Sequence, residues 1–257
     1  MDLGIAGRTA VVCASTSGLG EAIVRVMAAE GSHVVVSGRR GERARQIASE
    51  LPSAVGVEVD LTDPADDERL LAAAREAFGE IDILILNGPG PEPGPAAQVT
   101  EPDVDGAIDT LLRPQVRLVS AVLPAMRERR WGRILAVGSS GISAPLTNLA
   151  LSNLGRAALA GYLKTLAAEV AADGVTVNLL LPGRIATDRA AALDQARADR
   201  SGRSVEDVEE QAVAQIPAGR YGDPAEFGSV AAFLCSRQAS YVTGTAMRCD
   251  GGLVRSL

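Results

Sequence analysis

Short runs of β-branched and aliphatic residues alternate along the chain with longer stretches in which apolar positions return every three or four residues. The short runs are Thr9 to Cys13, Val34 to Ser37, Val55 to Val59, Ile81 to Leu86, Arg133 to Val137 and Val175 to Leu181. They are apolar on both faces, which predicts strands of a parallel sheet covered on both sides. The longer stretches, Leu19 to Glu30, Glu42 to Leu51, Pro64 to Phe78, Asp103 to Arg129 and Leu149 to Ala172, predict the covering helices. This alternation predicts an α/β fold, a single-domain Rossmann-type doubly wound parallel sheet over residues 1–257. No stretch has the composition of an interdomain linker. Gly88 to Pro95, with Pro89, Pro91, Pro93 and Pro95, reads as a stiff loop.

Sheets of this kind bind ligands beyond the carboxyl ends of their strands, so the chemistry is expected in the segments that follow them. After the first strand comes Ala14-Ser15-Thr16-Ser17-Gly18-Leu19-Gly20. Its hydroxyls, two glycines and the free N–H groups of the following helix predict a cradle for a dinucleotide pyrophosphate. After the second strand the chain offers Arg39 and Arg40 and no carboxylate. An acid there would bind the adenosine ribose of NAD, whereas two guanidiniums suit a 2′-phosphate, so NADP(H) is favoured over NAD(H).

Composition narrows the partners. Acidic residues outnumber basic ones by 32 to 25, a net charge of −7, so no nucleic-acid or anionic membrane partner is expected. No run reaches the eighteen apolar residues of a membrane span, and the start lacks the pattern of a secretion signal. Cys13, Cys235 and Cys249 show no metal spacing and read as reduced thiols, two of them in the core, so a cytoplasmic location is expected. His33 is the only histidine and opens a strand, which argues against a metal site or a histidine triad.

From Thr9 to Gly252 the chain resembles the short-chain dehydrogenase/reductase family, as a divergent member similar to 3-oxoacyl-acyl-carrier-protein reductase-like proteins. The resemblance rests on DILILNGPGP at residues 82–91, on Asp60 in VDLTD, on VTVNLLLPGRIAT at residues 175–187 and on GRYGDPAEF to TGTAMRCDGG at residues 219–252. It implies that Asp60, Leu61, Asn87 and Gly88 flank the adenine and that Pro182, Gly183, Ile185 and Thr187 line the nicotinamide. The first glycine of the family's phosphate turn is replaced by Ala14. A methyl group there is expected to tighten the turn without removing its N–H donors.

The family's catalytic groups are a serine, a tyrosine thirteen residues later, a lysine four beyond that, and an asparagine on the preceding long helix. Counting back without gaps from Val175 places the tyrosine position on Ser152 and the lysine position on Arg156; Ser139 keeps the serine, and Leu111 takes the asparagine position. Tyr162 and Lys164 lie about 15 Å and 12 Å too far along the helix to substitute. The candidate catalytic set is therefore Ser139, Ser152 and Arg156, with Arg156 also expected to hold the cofactor ribose. Pro114 is expected to kink the helix and free the carbonyl of Thr110.

The resemblance implies an NADP(H)-dependent oxidoreductase acting on a carbonyl or alcohol of a small or medium organic substrate, with a non-standard active site. Two alternatives stand beside it: a lyase or isomerase on the same scaffold, and a catalytically silent nucleotide-binding protein. The resemblance puts a helical substrate lid at about residues 188–216, in which Gly202 is expected to hinge two short helices and Ser204 to cap the second. The two long helices, the second alanine-rich over Ala157 to Ala172, are expected to pair subunits into a homodimer or homotetramer.

Overall fold

A computed structural model describes residues 2–255. In chain order the elements are β1 (Thr9–Val12), α1 (Gly18–Ala29), β2 (His33–Gly38), α2 (Gly41–Ser49), β3 (Ala54–Glu58), α3 (Pro64–Phe78), β4 (Ile83–Leu86), α4 (Glu101–Leu111) and α5 (Arg113–Glu128). They continue with β5 (Gly132–Val137), α6 (Ala150–Val170), β6 (Val175–Pro182), α7 (Asp188–Ser201), α8 (Val205–Val213), α9 (Pro224–Leu234) and β7 (Ala246–Cys249). The seven strands form one sheet in the order β3-β2-β1-β4-β5-β6-β7, with every pairing parallel. The strand order reverses between β1 and β4, which opens the crevice where such sheets bind ligands.

Successive side chains of a strand point to opposite faces, and the core is split accordingly. Val11 and Cys13 pack with Leu118 and Val122 of α5 and Leu163 of α6. Ala10 and Val12 pack with Ile23 and Met27 of α1 and Phe227 of α9. Each fully buried aliphatic side chain contributes about 1.5–3 kcal/mol of transfer free energy. On the second face α1 and α9 approach closely: a side chain at Gly228 would meet the Ala22 carbonyl and Val26 Cγ2, both at 2.8 Å.

Two elements differ in extent from the sequence reading, the long helix and the fourth strand. The helix expected over Asp103 to Arg129 is two helices meeting at Leu112, because Pro114 lies in the first turn of α5 and has no N–H to give the Thr110 carbonyl. The fourth strand begins at Ile83 rather than Ile81. Asp82 Oδ2 accepts from the Thr9 N–H (3.2 Å), so this residue secures the entry to β1 and β4 instead of extending the ladder.

No described helix is long and apolar enough to cross a membrane. Cys13 and Cys235 are buried and free, and burial pushes both thiols up to about 12, which leaves them inert as nucleophiles. His33 stacks on Phe78 and bonds through Nδ1 to Ser53 Oγ (2.6 Å).

Candidate active site and dinucleotide cleft

A cleft of about 1330 Å³ runs along the carboxyl ends of the strands, from Arg39, Arg40 and Asp60 at one end, past the turn before α1, to Ser139, Ser152 and Arg156 and the inner side of α7. Among the residues expected to hold a cofactor, Leu61, Asn87, Gly88, Pro182, Gly183, Ile185 and Thr187 all line it.

The turn has the features of an anion cradle. Ser17 precedes α1 in extended conformation and makes no side-chain cap, and Gly18 has φ +57°. The first N–H groups of α1 have no partner within the helix. A Cβ at Gly20 would lie 2.5 Å from the Ala14 carbonyl and 2.7 Å from Ser15 Cα, so only glycine lets the helix start this close to the turn. Thr187 packs beside Gly18 and accepts from the Ala190 N–H (3.3 Å), capping α7 against the turn. These contacts fit a dinucleotide.

Two residues of the turn behave differently from expectation. The Ser15 hydroxyl does not face the cradle: it is fully buried, donates to the Val12 carbonyl (2.7 Å) and accepts from the Ser37 N–H (2.9 Å), stitching β1 to β2. Ala14 does more than tighten the turn. It adopts φ +46°, a left-handed conformation in which its methyl is strained, and its carbonyl is held by Asn87 Nδ2 at 3.1 Å. Asn87 thus fixes the turn from β4. Ala14→Gly is expected to raise the unfolding free energy by about 0.5–1 kcal/mol, the relieved strain exceeding the added chain entropy; unchanged or lower stability in urea titration would refute this account.

At the adenosine end, Arg40 donates from Nη2 to the Thr16 carbonyl (2.8 Å) and hydroxyl (3.2 Å), which places one guanidinium on the rim of the turn. Asp60 accepts from the Thr62 N–H (3.0 Å) and hydroxyl (2.7 Å). Those bonds, aided by the Arg39 charge, hold its carboxyl below the usual range.

At the other end, the Ser139 oxygen accepts from the Gly141 N–H (3.0 Å), which leaves the hydroxyl proton free to donate. Ser152 lies in the first turn of α6, at the positive end of the helix dipole. One turn later Arg156 donates from Nη1 to the Val137 carbonyl (2.8 Å) at the end of β5. Burial, with the nearby Arg189 charge, pushes this guanidinium down to about 10, so it stays cationic at neutral pH. Leu111 fills the asparagine position by packing: a Cβ on Gly155 would lie 2.6 Å from Leu111 Cδ1, so α4 and α6 touch where a polar group was expected.

None of the three tyrosines lines the cleft. Tyr162 is half-buried among core residues and Tyr241 is exposed. Tyr221 donates to Asp194 Oδ2 (2.8 Å), and burial together with that bond pushes its phenol up to about 12. Lys164 is exposed and donates to the Gly244 carbonyl (2.7 Å).

The opposite wall is built by contacts the sequence reading missed. Gly94 pairs with the segment before α6, its N–H donating to the Asn148 carbonyl (2.9 Å). Asn153 Nδ2 donates to the Leu146 carbonyl (2.9 Å) and holds the loop over Ser139. Asp194 is buried in α7 and pairs with Arg184 from the loop after β6. Gly202 separates α7 from α8 at φ +65°, and Ser204 Oγ accepts from the Asp207 N–H (3.1 Å).

Known proteins share both sequence and architecture. A family model described as enoyl-(acyl carrier protein) reductase matches residues 13–254. The chain is 34% identical over 250 residues to the 3-oxoacyl-[acyl-carrier-protein] reductase FabG of Salmonella typhimurium, covering 96% of this chain and 97% of that one. It is also 34% identical over 253 residues to dehydrogenase/reductase SDR family member 4 of Oryctolagus cuniculus, with 96% and 94% covered. The solved L-sorbose reductase of Gluconobacter frateurii, complexed with NADPH and L-sorbose, superposes with a TM-score of 0.93 at 30% identity over 100% of both chains. With the parallel seven-stranded sheet and a cleft at its switch point, these likenesses make the chain an oxidoreductase of the short-chain dehydrogenase/reductase family.

Proposed function

We propose that this protein is an NADP(H)-dependent reductase of a small or medium carbonyl compound, working without the family's tyrosine. The observation that carries the reading is the continuity of the cleft from Arg39 and Arg40, over the phosphate turn, to Ser139, Ser152 and Arg156. NADPH, when held in this cleft, would supply a hydride for the carbonyl carbon. Ser139, its oxygen already accepting from Gly141, donates a hydrogen bond to the substrate oxygen and keeps its proton. Ser152 adds a second hydroxyl at the start of α6, and the Arg156 charge stabilises the oxygen as it becomes anionic. The guanidinium keeps its proton, so the proton that completes the alcohol comes from water in the open cleft. The remaining Arg156 donors would hold the cofactor ribose, and Arg39 with Arg40 would hold the 2′-phosphate.

Fluorescence titration tests the cofactor half. NADPH is expected to bind saturably and more tightly than NADH, and Arg39→Ala with Arg40→Ala should weaken NADPH about tenfold or more while leaving NADH nearly unchanged. Equal loss for both cofactors would refute the 2′-phosphate assignment; no saturable binding of either would end the reductase reading. Loss of nicotinamide absorbance across a ketone and aldehyde panel tests turnover.

The absence of tyrosine and lysine from the cleft lining favours a second reading, a non-redox enzyme or silent binder on this scaffold. Tight NADPH binding with no turnover across the panel would select it. Self-association runs through α5 and α6 in our reading. The exposed face of α6, with Leu154, Ala157, Ala158 and Gly161, has the small residues that permit close helix approach.

A further inference from the structure

We infer that the cleft takes a carbonyl substrate bearing an anionic group, a carboxylate or a phosphate ester, held by the arginines on the inner face of α7 at the end remote from the reacting oxygen. The inference rests on the reductase reading and adds the substrate's charge.

Arg189, Leu193, Arg197 and Arg200 follow one another at spacings of four, four and three residues, which puts them on one side of a helix, and all four line the cleft. The acids of α7 beyond its first turn do not line it: Asp194 is buried against Arg184, and Asp199 accepts from Gln195 (2.8 Å). A merely solvated helix face would mix its charges. Here the cations alone continue inward past Asp188, in a chain whose net charge is −7.

Pairing habits elsewhere sharpen the contrast. Arg25 binds Glu21 and Glu50, Arg117 binds Asp67, Arg127 binds Asp173 and Arg220 binds Glu226. Among the described residues no carboxylate pairs with Arg156, Arg189, Arg197 or Arg200. Arg189 instead lies against Gly90 of the proline-rich wall, so closely that a side chain there would collide with its guanidinium. It also sits near enough to Arg156 to make that group's charge less favourable. Like charges gathered in a cleft are relieved by an anion that bridges them.

The cofactor's phosphates are accounted for by the turn before α1 and by Arg39 and Arg40. Arg197 and Arg200 lie about 12 Å and 16 Å along α7 from Arg189, which itself meets Gly90 of the proline-rich wall. Leu193 and Leu146 line the same region and suit an apolar segment between the carbonyl and the anion.

The test uses matched probes on the NADPH-loaded protein: 4-oxopentanoate against its methyl ester, and dihydroxyacetone phosphate against dihydroxyacetone, read by the change in bound NADPH fluorescence. At least one anion is expected to bind about tenfold or more tightly than its uncharged partner. Whichever arm shows the larger preference identifies the group. Arg197→Ala with Arg200→Ala should abolish the preference while the NADPH dissociation constant stays the same. Equal binding of charged and uncharged partners, no binding of either anion, or a preference that survives in the variant would overturn the inference. The same titrations on cofactor-free protein, followed by thermal shift, read the anion site by itself. A protein that held the anions but not NADPH would refute the reductase reading and leave the anion assignment standing.

Discussion

Asp194→Ala is expected to lower the unfolding free energy by about 3 kcal/mol, the lower end of the range for breaking a buried ion pair. The carboxylate is 1% exposed and accepts from both Arg184 and the Tyr221 hydroxyl, so its removal strands two donors. The Arg184 side chain is 26% exposed, and water reaching it keeps the loss from being larger. Asp194→Asn retains an acceptor for one donor and should lose roughly half as much. Urea unfolding gives the totals, and hydrogen exchange shows where the loss falls: amides of α7 should exchange faster while those of β1 and β4 keep their protection. A loss under about 1 kcal/mol would mean that this pair is not what fixes α7 to the sheet.

Arg156→Met separates activity from stability. Turnover of any carbonyl substrate should fall about 100-fold or more, the scale of removing one charged stabiliser of a developing oxyanion. Stability should hold or rise, because methionine fills the space without an unpaired cation. The titration has a matching sign. The folded state binds the Arg156 proton more weakly than the unfolded chain does, so its destabilising charge is fully present below about pH 10 and is relieved as pH rises from there toward the unfolded value. The wild type should therefore gain stability over that window while losing activity, and Arg156→Met should show neither change. Equal activity in the variant would remove Arg156 from the chemistry.

The sheet and its helices were legible because each rests on a local pattern: short runs apolar on both faces, helical periodicity, and turns rich in glycine and proline. The division of the long helix was marked by Pro114, but a proline can kink a helix or end it, and only the backbone at Leu112 decides. In the site, the spacing from Ser139 to Ser152 and Arg156 was readable, and all three line the cleft. The direction of the Ser15 hydroxyl was not, since a serine in a turn serves inward and outward bonds equally well. Nor was the Arg184–Asp194 pair, whose partners come from different elements and share no periodicity. The count that assigns Leu111 to the asparagine position gives no reason for an apolar residue there; Gly155 opposite it does, because the two helices touch at that point.

The packing of Gly228 against α1 joins two helices that lie far apart in the sequence. Helix α1 presents the phosphate turn, while Phe227 and its neighbours on α9 pack with Ile23 and Met27 behind it. Without α9 an apolar stripe of α1 would face solvent, so a variant ending before Asp223 is expected to expose it. The helix that carries the phosphate turn therefore depends for its cover on an element distant in sequence, and loss of that element would disturb the turn as well as the core.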